Sequence, residues 1–185
     1  MMSRLFAAGA PVFFAVGFAA AQTANLPPEP GDYRMDAYRA PTPATLKGAT
    51  VIDTARAYEL WNAKRAVFVD VLPHPPKPEG LPANAVWRET PRENIPGSVW
   101  LPDTGYGALA GPTLQYLENG LRKAVAGDFS RPLVFYCLKN CWMSWNAAKR
   151  AQTLGYRNIS WYPDGADGWA AAGHPLAAAR PDPRD

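Results

Sequence analysis

The chain has 185 residues, 48% of them hydrophobic, and a formal net charge of +3. That length suits one domain with a sizeable core and a leader. The basic residues are scattered rather than striped, and the charge is near neutral, which argues against nucleic acid or an anionic membrane surface as a partner.

The first 21 residues read as a secretory signal: Arg4 supplies the positive start, Leu5 to Phe18 is uncharged and apolar, and Ala19-Ala20-Ala21 fits a small-residue cleavage site before Gln22. The apolar run is short for a span of about 20 residues. The mature chain is therefore expected without a stable membrane span and, in a bacterium, in the periplasm. Residues 22–47 are rich in proline and are expected to form an extended lead-in, ordered where Tyr33 and Tyr38 dock. A domain over 48–177 and a C-terminal tail over 178–185 complete the expected layout.

Within the domain, strand and helix patterns alternate. Thr50 to Ile52 reads as a short strand, and Asp53 or Thr54 caps a helix over Ala55 to Lys64. Ala66 to Val71 is a continuous apolar run ending near Asp70, as in a strand buried on both sides. Leu72 to Asn94 reads as a long Pro-rich loop, and Ile95-Pro96-Gly97-Ser98 as a turn leading into a strand to Leu101. A helix is expected over Thr113 to Val125, a buried strand over Leu133 to Tyr136 and a helix over Ser144 to Leu154 stopped by Gly155. A strand at Asn158 to Tyr162 and a helical turn at Gly168 to Ala172 follow. Strands separated by helices give an α/β fold with a central parallel sheet and helices on both faces. In such sheets ligands sit at the carboxyl ends of the strands, where Leu133 to Tyr136 delivers Cys137.

The two cysteines, Cys137 and Cys141, are four positions apart. A bridge between them closes too short a loop to staple a domain of this size, which shifts the expectation toward reactivity. The loop Leu138, Lys139, Asn140 and the start of the next helix, Trp142, Met143 and Ser144, can turn backbone N–H groups inward as an anion-binding nest. A cysteine at its base is expected as a thiolate nucleophile, with Lys139 adding positive charge at the rim. Cys141 has two readings: a resolving thiol that forms a disulfide with Cys137, or a small hydrophobe packed under the loop. Asp70, at the end of a buried strand, either tunes the thiolate or holds the loop backbone. Arg88 and Arg92 are either ligands for an anionic substrate or solvated loop charges.

Other signals are weaker. Three residues separate the cysteines and Trp142 follows, which is not a haem c attachment pattern. His74 and His174 are the only histidines, so no zinc site is expected; His174 reads as a surface turn. Gly105, Gly107 and Gly111 miss the dinucleotide spacing, and Asp164 to Gly168 lacks the ligands of a calcium loop. The seven tryptophans read mainly as core packing, with stacking on a planar cofactor as the alternative. Trp142, next to a loop cysteine, is expected near the surface.

From about Val51 to Pro175 the chain resembles the rhodanese-like domains. The likeness rests on Val69-Asp70-Val71, the Ile95-Pro96-Gly97-Ser98 turn, Tyr136-Cys137, Ala147-Ala148 through Leu154-Gly155-Tyr156, Asp164-Gly165 with Trp169, and Gly173-His174-Pro175. It implies the rhodanese-like version of the α/β fold, with Cys137 at the nucleophile position. The phosphatase-like branch of that family needs an arginine where this chain has Met143, so phosphatase activity is not expected, and Cys141-Trp142 departs from the usual sulfurtransferase loop. The segment Cys137 to Lys149 also resembles the cysteine–tryptophan motif of exported rhodanese-like proteins associated with alcohol catabolism dependent on pyrroloquinoline quinone (PQQ). That resemblance implies a periplasmic accessory of quinoprotein alcohol oxidation and by itself no reaction; the chemistry of Cys137 and Cys141 adds the expectation of a sulfurtransferase or thiol–disulfide oxidoreductase acting on a small sulfur-containing substrate. The alternative is a non-catalytic module docking on a quinoprotein dehydrogenase, its cytochrome or its cofactor. No covalently bound cofactor is implied; an association with PQQ is.

Overall fold

A computed structural model describes residues 26–75, 77–82, 84–88 and 91–184. The secretory segment and its cleavage site lie outside these residues. Among the described residues no helix is long and apolar enough to cross a membrane.

Five parallel strands form the central sheet in the order β1 (Thr50–Val51), β6 (Ile159–Tyr162), β5 (Leu133–Tyr136), β2 (Val67–Asp70), β4 (Val99–Trp100). All four residues of β5 are buried, because this strand lies mid-sheet with a layer on each face. Side chains alternate across a strand, and the core divides accordingly. Leu133, Phe135 and Cys137 join the cluster built with α2 (Gly111–Ala124) and α3 (Trp142–Thr153). Val134 and Tyr136 join the cluster built with α1 (Thr54–Asn62) and α4 (Gly165–Ala171). The expected parallel sheet with helices on both faces is the observed one.

Several boundaries differ from the sequence expectation. The loop after β2 ends in a short strand, β3 (Arg92–Asn94), paired antiparallel with β7 (Ala177–Ala179). The expected tail is therefore partly structure. It continues onto α2, where the Tyr116 hydroxyl donates to the Asp182 carbonyl at 2.7 Å and the Asp182 amide donates to the Trp100 carbonyl at 2.8 Å. Helix α3 starts at Trp142, two residues before the expected Ser144, and α4 starts at Gly165. His174 is not a free turn residue: its ring stacks on Tyr58 with centroids 4.2 Å apart and lies beside Trp169.

The lead-in is more than an extended arm docked at two tyrosines. The Asn146 side chain, buried in α3, accepts from the Arg34 amide at 2.9 Å and donates to the carbonyls of Arg34 and Gly105. Trp142 and Trp145 donate their indole N–H groups to the carbonyls of Pro41 and Thr45. Arg150 donates to the carbonyls of Thr104, Tyr106 and Gly107 and lies 4.3 Å over the Tyr33 ring. Leu46 reaches the core itself. Polar side chains on a buried helix need partners, and here the lead-in and the 104–107 segment supply them.

Candidate active site

The site begins with strand parity. After Phe135, Cys137 falls on the α3 face at the carboxyl end of β5. The chain then turns through Leu138, Lys139 and Asn140, the last in the left-handed region at φ 54°, a conformation asparagine tolerates better than most residues. Cys141, in extended conformation, is the N-cap of α3 and makes no side-chain capping hydrogen bond. The two cysteines are joined as a disulfide with Cα atoms 6.2 Å apart, inside the range a bridge accepts. The structure therefore shows the intramolecular bond that one of the two readings of Cys141 requires.

The loop is locked from both sides. The Cys137 carbonyl accepts from the Ala166 amide at 3.0 Å. This close approach needs Gly165: at φ 54° its missing Cβ would stand against that carbonyl. The Lys139 amide donates to Asp167 Oδ2 at 3.0 Å, and the Trp142 amide donates to the Tyr38 carbonyl at 2.9 Å. These two amides belong to the expected anion nest, and both have partners within the chain. Lys139 Nζ lies 3.8 Å from Asp164 on the surface, so the rim carries acidic as well as basic groups. Trp142 is only 2% exposed, against the expectation of a surface position. Its indole is capped by Pro41 and its face by the Arg34 guanidinium 5.3 Å away. Ser144 is buried, its hydroxyl donating to the Cys141 carbonyl and accepting from the Trp161 indole. Leu138 packs between the two core clusters.

Beside the loop, at the carboxyl ends of β2, β4 and β5, lies a cavity of about 620 Å³. Its walls include Tyr38, Leu72, Trp100, Tyr106 and Met143, with prolines 73, 75 and 91. Arg39 and Arg92 add positive charge, and among the described residues no acidic one lines it. Cys141 lines this cavity and Cys137 does not. Met143, where a phosphate-gripping arginine is absent, is simply part of the apolar wall.

Asp70 supports one edge. It is fully buried; Oδ1 accepts from the Leu72 amide at 3.0 Å, and Oδ2 takes the Arg92 guanidinium at 2.7 Å and 2.9 Å. Burial pushes the Asp70 carboxyl up to about 6, with Arg92 opposing the rise. Arg92 is thus neither a free anion ligand nor a solvated loop charge, but half of a wall-forming ion pair. Arg88 is exposed and is not among the lining residues.

Sequence reasoning missed Asp167, the Tyr38 carbonyl and the cavity-facing position of Cys141. A local pattern does not signal a bond between residues 28 apart, as for Lys139 and Asp167. Among the described residues no group of three or more His, Cys, Asp or Glu side chains could hold a metal ion.

Comparison with solved structures finds the same fold at low identity. The polysulfide-sulfur transferase homodimer of Wolinella succinogenes is 18% identical over 71% of this chain and 80% of that one, with a TM-score of 0.45. A human single-domain sulfurtransferase is 18% identical over 66% of this chain and 96% of that one, with a TM-score of 0.41. A persulfide form of EanB with ergothioneine is 19% identical over 77% of this chain and 34% of that one, with a TM-score of 0.51. A comparison with curated proteins gave no match. The family model described as Rhodanese-like domain matches residues 53–172, well over half of the chain and the whole sheet but its first strand. The chain belongs to the rhodanese-like domain family.

Proposed function

We propose that this protein is an exported thiol–disulfide exchange protein on a rhodanese-like scaffold, accessory to PQQ-dependent alcohol oxidation. One observation carries the chemical part: the Cys137–Cys141 disulfide borders an apolar cavity at the carboxyl end of the sheet. A substrate thiolate attacks one sulfur of the pair, forming a mixed disulfide and releasing the other cysteine as a thiolate. A second substrate thiolate then attacks the substrate sulfur of the mixed disulfide. Two substrate thiols are oxidised to a disulfide, the pair is reduced to two thiols, and the two protons lost by the substrate balance those gained by the cysteines. Exchange with a second disulfide compound returns the pair to its oxidised form.

Transfer of sulfur from an anionic donor such as thiosulfate is less well supported. The Lys139 and Trp142 amides are engaged by Asp167 and Tyr38, and the Asp167 carboxylate repels a second anion at that rim.

Export rests on the charged, apolar and small-residue regions of residues 1–21 and on the persistence of disulfides in oxidising compartments. The link to quinoprotein oxidation rests on the cysteine–tryptophan resemblance of residues 137–149. It makes a quinoprotein dehydrogenase or its cytochrome the candidate partner and an association with PQQ the candidate cofactor contact.

The test uses the oxidised mature chain and a small apolar dithiol. Conversion of the dithiol to its disulfide, matched by appearance of two protein thiols, supports exchange. Loss of turnover by at least about a hundredfold in Cys137→Ser or Cys141→Ser is expected, since either change removes the bond that is exchanged. A pair that stays oxidised, or dithiol oxidation undiminished in both variants, overturns the reading. An inert pair together with calorimetric binding of PQQ or of the dehydrogenase supports the docking role instead.

A further inference from the structure

The pair is asymmetric in a way that assigns the direction of attack. Cys137 is fully buried beneath the loop, with its carbonyl bound by α4 and its side chain in the core formed with α3. Cys141 is nearly as buried by area, yet its surface is part of the wall of the 620 Å³ cavity. Which sulfur of a disulfide is attacked depends on access as well as on leaving-group chemistry. A thiolate entering the cavity meets Cys141 first.

We infer, resting on the exchange reading above, that Cys141 is the sulfur attacked by substrate and that Cys137 is the leaving and resolving thiol, the reverse of the order implied by the fold's usual nucleophile position. In the first step the substrate sulfur bonds to Cys141 Sγ, the Cys137–Cys141 bond breaks, and its electron pair leaves on Cys137. In the reverse direction, reduced Cys141 attacks a substrate disulfide and Cys137 displaces the bound half. The position of Cys141 suits this role. As N-cap of α3, a 12-residue helix, it occupies the place from which a side chain accepts from the second or third helical amide. The Trp142 amide is already used by Tyr38, which leaves those of Met143 and Ser144 as the ones Cys141 would meet. A thiolate there is favoured by the helix terminus.

The cavity also defines the substrate class. Its walls are aromatic, proline, leucine and methionine side chains, so an apolar body is favoured next to the reacting sulfur. The Arg92 charge is balanced by Asp70, whereas exposed Arg39 also lines the cavity, and among the described lining residues none is acidic. The fitting substrate is an aryl or branched-alkyl thiol or disulfide, or a cysteine in an apolar peptide segment, with neutral or negative charge distal to the sulfur.

The reduced wild-type protein is mixed with a limiting amount of a neutral aromatic disulfide, 2,2′-dithiodipyridine, under acid quench, and the cysteine bearing the adduct is mapped by mass spectrometry. The single-thiol variants Cys137→Ser and Cys141→Ser are timed with the same reagent. Adduct on Cys141 first, and reaction of Cys137→Ser at least about tenfold faster than that of Cys141→Ser, is expected from access. Adduct on Cys137 first, or equal rates, overturns the assignment. If a variant does not fold, the wild-type mapping decides by itself. The exchange reading is scored separately, by whether the wild-type pair re-forms its disulfide after the adduct appears. A re-formed bond with Cys137 modified first sinks only the assignment. Failure of any cysteine in folded protein to react sinks both.

Discussion

The two flanks of the Cys137–Cys141 loop, one closed by a helix and the lead-in and the other bordered by strand ends, have opposite properties. On one flank α4 and the lead-in close on the loop, and Asp167, Ala166 and Tyr38 supply partners for its backbone. On the other flank the carboxyl ends of β2 and β4 draw away, leaving a cavity walled by Trp100, Leu72 and Met143 and bordered by Cys141. The difference teaches that a loop's amides bind external anions only while nothing within the chain satisfies them. Here the closed flank engages two of the amides an anion would need, those of Lys139 and Trp142, and access shifts to the second cysteine.

The largest expected effect bears on the edge of the open flank. The folded carboxyl of Asp70 is raised to about 6 from an ordinary 3.8. Between those values the folded state holds the proton more tightly than the unfolded chain. Its stabilising contribution is full below the lower value and is lost as pH rises through the higher one, by about 3 kcal/mol in all. Urea unfolding of wild type and Asp70→Asn at pH 4 and pH 7 isolates it: the variant minus wild-type stability is expected to increase toward pH 7. A difference that is flat or decreases contradicts the burial-dominated account of this ion pair.

The closed flank depends on Asn146, whose side chain makes three hydrogen bonds to the 34 and 105 backbone. Asn146→Ala leaves buried backbone groups unsatisfied and is expected to cost about 2–3 kcal/mol, read as a lower urea midpoint. Loss of under about half a kcal/mol, the range of neutral surface changes, would show that the lead-in is not held as described.

The smallest effect sharpens the contrast most. Asp167→Ala frees the Lys139 amide and removes a negative charge from the rim. Reaction with an anionic disulfide is expected to rise about threefold, the scale of an exposed charge contact, while reaction with a neutral disulfide stays level. An equal change with both reagents would mean that Asp167 only holds the loop in shape.

Much of this architecture is legible in the residues. The run Leu133 to Tyr136 marks a strand with two covered faces, and its direct continuation into Cys137 places the cysteine at the ligand end of the sheet. The Gly155 stop of α3 is local and equally readable. The rest depends on contacts without a local pattern. Three alanines carry little strand preference, yet Ala177–Ala179 pairs with Arg92–Asn94 because both edges are brought together by the fold. Trp142 looks exposed when the loop is considered alone and is buried because residues more than a hundred positions earlier cover it. The opening of the cavity at Cys141 is a property of several segments of chain at once, and no spacing of two cysteines encodes it.

The central claim is that Cys137 and Cys141 form a reversible disulfide in a folded domain. Equilibrating the purified mature chain across a series of dithiothreitol redox buffers, then trapping free thiols and counting them by mass, tests it most directly. A single two-electron transition, recovered on reoxidation with the near-ultraviolet signal of the folded tryptophans retained, is the predicted result. Two thiols that never join under oxidising buffer, or a bond that reduces only when the domain unfolds, would contradict the account.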